Sequence, residues 1–136
     1  MHIGFTGTRR GMTGNQEEVF LGLMEQFMLG CFVHGDCVGA DEDAHSIVKN
    51  LGTYKICLRP CDIDSQRAFC EGAFKIESTE PPLLRNKKIV DDVTLLIACP
   101  CGFKEQLRSG TWATIRYAKK IGRKVIIIWP DGCVDS

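Results

Sequence analysis

Five short apolar runs, His2 to Thr6, Cys31 to His34, Tyr54 to Arg59, Thr94 to Cys99 and Lys124 to Trp129, alternate with stretches whose apolar residues recur at helical spacing. The separations are too long for hairpins and long enough for helical crossovers, so the runs are expected to pair as parallel strands. The last of them, Lys-Val-Ile-Ile-Ile-Trp, shows no polar alternation, which suits a strand covered on both faces. The pattern predicts an α/β fold: a doubly wound, five-stranded parallel sheet in the order 3-2-1-4-5 with helices on both faces.

The helical stretches carry their own boundaries. Thr13-Gly14-Asn15-Gln16 has the form of a capping box, Phe20, Leu23, Met24, Phe27 and Met28 form an inward stripe, and Gly30 stops it. A second stripe, Ala40, Ala44, Ile47, Val48 and Leu51, ends at Gly52. A short third helix is expected over Arg85 to Asp92, and a fourth carries Trp112, Ile115, Ala118 and Ile121 inward. Residues 61–84 lack periodicity and contain Pro81-Pro82, so they are expected to form a long flap over a site with at most one helical turn. Phe69 or Phe74 would then stack on a base, or else plug the edge of the core. Asp131 to Ser136 reads as a tail.

With 136 residues there is one core to fill, and the expectation is a single domain over 1–136. Seventeen basic and 17 acidic residues balance, which argues against bulk electrostatic attraction to nucleic acid. No apolar run approaches membrane-spanning length, and the first residues enter a strand directly, so the chain is expected to be cytoplasmic. Its eight cysteines are then expected to be reduced. Neither Cys57-x-x-x-Cys61 nor Cys99-Pro100-Cys101 has the C-x-x-C spacing of a zinc site, so no metal and no cofactor are expected.

Three glycine-bearing segments should meet at one edge of the sheet. The first run breaks into a loop with Gly4, Gly7 and Gly11 and with Thr6, Thr8, Arg9 and Arg10, ahead of a helix whose unpaired N–H groups would face an anion. The second, His34-Gly35-Asp36-Cys37-Val38-Gly39-Ala40-Asp41, sits at the same structural place. Glu42 and Asp43 there suit a first helical turn, whereas Asp36 and His34 stand at the strand's end, where an acid commonly binds a ribose hydroxyl. His45, inside the helix, reads as a solvated or hydrogen-bonded bystander. The third segment is Arg108-Ser109-Gly110-Thr111, again at a helix start. Gly7, Thr8, Arg9, His34, Gly35, Gly39, Ser109, Gly110 and Thr111 are therefore the candidate ligand-binding residues, and the favoured ligand is a phosphate.

Gly4-Phe5-Thr6-Gly7-Thr8-Arg9, His34-Gly35-Asp36 with Gly39-Ala40-Asp41, Arg85-Asn86, and Ser109-Gly110-Thr111-Trp112 with Tyr117-Ala118 resemble the SLOG superfamily, in particular its YspA-like, cpYpsA-related branch. The resemblance implies a Rossmann-like fold, a nucleotide or nucleotide-derived ligand and a homo-oligomer. That superfamily includes the Lonely Guy phosphoribohydrolases, which cleave the N-glycosidic bond of nucleoside 5′-monophosphates, and the DprA/Smf proteins, which bind single-stranded DNA. By resemblance, Ser109 to Thr111 match the phosphate turn of the phosphoribohydrolases and Arg85 a catalytic-region arginine. The glutamate that follows that turn in those enzymes is missing, since Ala113 and Thr114 stand there. Glycoside cleavage needs a carboxylate beside the oxocarbenium-like state, so either Asp36 or Asp41 supplies it, or the protein is a non-catalytic sensor or sequestering protein.

Overall fold

The computed structural model describes residues 1–136. Its strands are β1 (His2–Gly7), β2 (Gly30–His34), β3 (Tyr54–Leu58), β4 (Lys75–Ile76), β5 (Leu95–Cys99), β6 (Lys124–Ile128) and β7 (Val134–Asp135). Its helices are α1 (Gly14–Phe27), α2 (Ala40–Leu51), α3 (Pro82–Asp92) and α4 (Gly110–Lys120). The strands form one sheet in the order β4-β3-β2-β1-β5-β6-β7, parallel throughout except for the β6–β7 pair. The five inner strands are the five apolar runs, in the order the crossovers require.

The expected count of five is corrected to seven. β4 and β7 hold two residues each, both exposed, so neither shows a period of two or an apolar face for a pattern to report. Residues 131–136 are accordingly more than a tail. Gly132, at φ +88°, turns the chain so that Trp129 N–H donates to Cys133 O at 2.9 Å and Gly132 N–H to Trp129 O at 2.8 Å, which lays Val134–Asp135 against β6. α3 starts three residues before the expected Arg85. Pro82 opens it, a position where a fixed φ and a missing N–H cost nothing.

Alternation along the inner strands divides the core between two faces. Ile3, Phe5, Phe32, Ile97 and Ile128 pack with Phe20 and Met24 of α1 and Ala44 and Val48 of α2. Leu96, Ala98, Val125 and Ile127 pack with Ile89 and Val90 of α3 and Trp112, Ile115 and Ala118 of α4. Both sides of β5 and β6 are thus covered, which explains their lack of polar alternation. α1 starts at the expected capping box: Thr13 Oγ1 accepts from Gln16 N–H at 3.1 Å, and Gln16 Oε1 from Thr13 N–H at 3.0 Å. No helix is long and apolar enough to cross a membrane. All eight cysteines are free thiols.

Because β1 is followed by α1 and β2 on one side but lies beside β5 on the other, the connections diverge from the carboxyl ends of β1 and β5. A crevice opens there.

Candidate functional site

A cavity of about 490 Å³ occupies this crevice, within the range of small-molecule sites. Gly7, Thr8, Arg9, Gly35, Asp41, Arg85, Ser109, Gly110 and Thr111 of the expected residues line it. His34, Asp36 and Gly39 do not.

The first loop is held by the second. Ala40 N–H donates to Thr8 O at 2.9 Å and Thr8 N–H to Cys99 O at 3.1 Å, which hangs the loop between α2 and β5. A Cβ on Gly7 would lie 2.5 Å from Ala40 Cβ, and one on Gly39 would lie 2.3 Å from Arg9 O, so both glycines permit a backbone crossing. Gly39 therefore shapes the site without facing it. Asp43 does more than complement the helix dipole: its Oδ2 accepts from Met12 N–H at 2.9 Å and ties down the far end of the loop. The expected anion position at the start of α1 is corrected, because Thr13 and Gln16 cap that start and the cavity lining ends at Arg10. The helix start that borders the cavity is that of α4. There Ser109 Oγ accepts from Trp112 N–H at 3.3 Å, while the N–H groups of Gly110 and Thr111 have no protein partner.

On the floor lies Arg85, only 5% exposed. Its Nε donates to Asn86 Oδ1 at 2.8 Å, Nη1 to Gly35 O at 2.6 Å and Arg59 O at 3.3 Å, and Nη2 to Cys37 Sγ at 3.4 Å. One Nη2 hydrogen is left over, and the guanidinium forms no ion pair within 4.0 Å. A buried guanidinium held by neutral oxygens and a sulfur keeps its charge available to a ligand.

Asp41 is the one acid of the lining. Its Oδ2 accepts from Gly35 N–H at 3.1 Å and Cys37 N–H at 3.2 Å, leaving Oδ1 with no protein partner. Burial pushes its pKa from 3.8 up to about 6, against the pull of the Arg85 charge and of those two N–H groups. The neighbouring Cys37 thiol is pushed up to about 11, mainly by burial, and stays protonated.

Asp36 is turned away from the cavity. At φ +56° and fully buried, it pairs with Arg67 (Nη2 at 2.9 Å, Nε at 3.0 Å) and accepts from Cys70 N–H at 2.9 Å. His34 points the same way. Its Nδ1 accepts from Asp36 N–H at 2.9 Å, so the neutral ring carries its proton on Nε2, which donates to His45 Nδ1 at 2.9 Å. His45 Nε2 in turn donates to Glu71 O at 2.7 Å, which makes it a buried link and not a solvated one. Burial, with the nearby His45 and Arg85, lowers the His34 pKa from 6.5 to about 3 and keeps it neutral. His34, His45 and Cys70 place their ligand atoms within 4.8 Å of one another, but the proton on His34 Nε2 occupies the position a metal would take. The cluster is a hydrogen-bond chain.

The same contacts correct the reading of residues 61–84 as a flap. Val38 N–H donates to Gln66 O at 3.1 Å and Ala68 N–H to Asp36 O at 2.8 Å, so the segment braces the second loop from behind. Only Pro82 and Leu83 of that stretch reach the cavity. Phe69 and Phe74 are exposed beneath Arg67 and Lys55 and neither stack in the cavity nor plug the core.

No protein-family model matches the chain, and no curated protein matches it in sequence. Its fold is shared with solved structures. A molybdenum cofactor binding protein from the phototrophic bacterium Rippkaea orientalis has a TM-score of 0.71 over 94% of this chain and 76% of its own, at 20% identity. DNA processing protein A (DprA) of Streptococcus pneumoniae has a TM-score of 0.66 at 19% identity, over 93% of this chain and 49% of its own. At these identities the likeness is one of fold. The DprA of Helicobacter pylori, whose structure concerns single-stranded DNA binding, shares it with a TM-score of 0.63 at 17% identity, over 93% of this chain and 64% of its own.

Within this fold the cavity also takes in Arg10, Cys37 and Arg108, which lie inside the three glycine segments, and Asn86 and Trp112, which lie outside them. Each of these two adjoins a candidate residue, Asn86 following Arg85 and Trp112 following Thr111.

Proposed function

We propose that this chain binds a nucleotide or nucleotide derivative, its phosphate held at the start of α4 and its charge matched by Arg85. The observation that carries this reading is the buried Arg85 guanidinium, unpaired with any carboxylate and lining the same cavity as the free N–H groups of Gly110 and Thr111. Calorimetric titration with a panel of nucleoside 5′-monophosphates tests it, and at least one should bind. Gly110→Val should abolish that binding with little change in melting temperature. A Cβ at Gly110 finds only Asn86 Nδ2, at 3.9 Å, so the larger side chain enters the anion position and not the core. Undiminished binding by the variant would place the phosphate elsewhere.

A second reading, hydrolysis of the N-glycosidic bond, is favoured by Asp41. With a pKa of about 6 it is mostly ionised at neutral pH yet basic enough to take a proton. The ribose C1′–N bond breaks, the water hydroxyl adds at C1′, and the proton that water gives up passes by way of Asp41 to the departing base, giving ribose 5-phosphate and free base. Chromatography for released base distinguishes an enzyme from a sensor or sequestering protein built on the same site.

A further inference from the structure

We infer that the cavity is built for a nucleotide with at least two linked phosphoryl groups, Arg10 and Arg108 forming a second anion subsite at its mouth; this rests on the nucleotide-binding reading above. Four arginines, Arg9, Arg10, Arg85 and Arg108, line the cavity against a single carboxylate, Asp41. No lysine and no second acid joins them. In a chain whose 17 basic and 17 acidic residues cancel, this is a concentrated local excess of three positive charges.

The four are not equivalent. Arg85 is fixed on the floor, and Arg9 is committed to Gln66, donating from Nη2 to Oε1 at 2.6 Å. The side chains of Arg10 and Arg108 make no hydrogen bond and no ion pair, although acids elsewhere on the surface pair with Arg59, Lys75, Lys88 and Arg116. Both are exposed, and they come from different loops, one between β1 and α1 and the other between β5 and α4. A single phosphoryl group carries about two negative charges at pH 7. Seated at the start of α4 beside Arg85, it would leave both mouth arginines without a counter-ion. A diphosphate, with about three negative charges by the same chemistry, matches the excess of the lining and extends from the floor toward the mouth.

The test is direct titration with AMP, ADP, UMP and UDP, and with inorganic phosphate and pyrophosphate as probes independent of the base. The diphosphate of each binding pair should bind at least tenfold more tightly than the monophosphate, and pyrophosphate more tightly than phosphate. Arg10→Gln and Arg108→Gln should each reduce that preference several-fold, and together erase it, with the ligand-free melting temperature unchanged. Equal affinity for mono- and diphosphates in the wild type, or a preference that survives the double substitution, overturns the second subsite and leaves the nucleotide reading standing. Monophosphates and diphosphates that all fail to bind overturn the nucleotide reading, and this inference with it.

Discussion

Asp41→Asn is expected to stabilise the folded chain at pH 7.5 by about 3 kcal/mol. Burial raises the Asp41 pKa from 3.8 to about 6, so the folded state holds this proton more tightly than the unfolded chain. The stability it contributes is complete below pH 3.8 and is lost as the pH rises through 6. Above that the buried carboxylate is a net cost, which asparagine does not carry while still accepting from Gly35 and Cys37. His34 acts with the opposite sign. Its pKa is lowered from 6.5 to about 3, so its contribution is complete above pH 6.5 and is lost as the pH falls toward 3. Between pH 4 and 6 the two slopes offset in the wild type. Asp41→Asn uncovers the histidine and should lose about 1.4 kcal/mol per pH unit on acidification. Urea unfolding at pH 4.5, 5.5 and 7.5 measures both effects; a variant weaker than wild type at pH 7.5 would mean that Arg85 depends on the charge. If the wild type releases base, the same substitution should slow release by roughly 10² to 10⁴ with nucleotide affinity little changed.

Gly39→Ala should be strongly destabilising. The added Cβ meets the Arg9 backbone, at 2.3 Å from its oxygen and 2.5 Å from its carbonyl carbon, and the residue sits at φ +96°. Strain at that backbone angle and forced displacement of the first loop together should cost roughly 2–5 kcal/mol. Gly52→Ala serves as the control. It shares a positive φ, +72°, but nothing lies within 4 Å of its Cβ, so it should lose only about 1–2 kcal/mol. Paired thermal melts decide the matter, and equal losses would show that the crossing is not tight. In the surviving Gly39→Ala protein, nucleotide binding should weaken too, since the displaced residues include Thr8 and Arg9 of the cavity wall.

Much of this architecture is written in local pattern. The five inner strands follow from apolar runs because β5 and β6 are buried on both faces, and α1 begins at Thr13 because a capping box is a short-range device. The edge strands escape because two exposed residues carry no pattern. The acids of the second loop separate two kinds of information. Their position at a strand's end is legible, but which carboxylate turns into the cavity depends on Arg67, 31 residues from Asp36, and on Arg85 from α3. The burial of Arg85 is equally tertiary, and only the family resemblance directs attention to it.

The brace behind the second loop bears on how this chain can be altered. Residues 62–72 have the look of a dispensable surface excursion, the natural place for an affinity tag, a protease site or a fused reporter. Yet Gln66, Arg67, Ala68 and Cys70 all hold the loop that carries Gly35 and Cys37, and Glu71 holds α2 through His45. Cutting or lengthening the chain there would release the floor of the site from a distance. Gly122 offers the safer opening: it turns α4 into β6 at the amino end of the strands, with no atom within 4 Å of an added Cβ, on the rim of the sheet opposite the cavity.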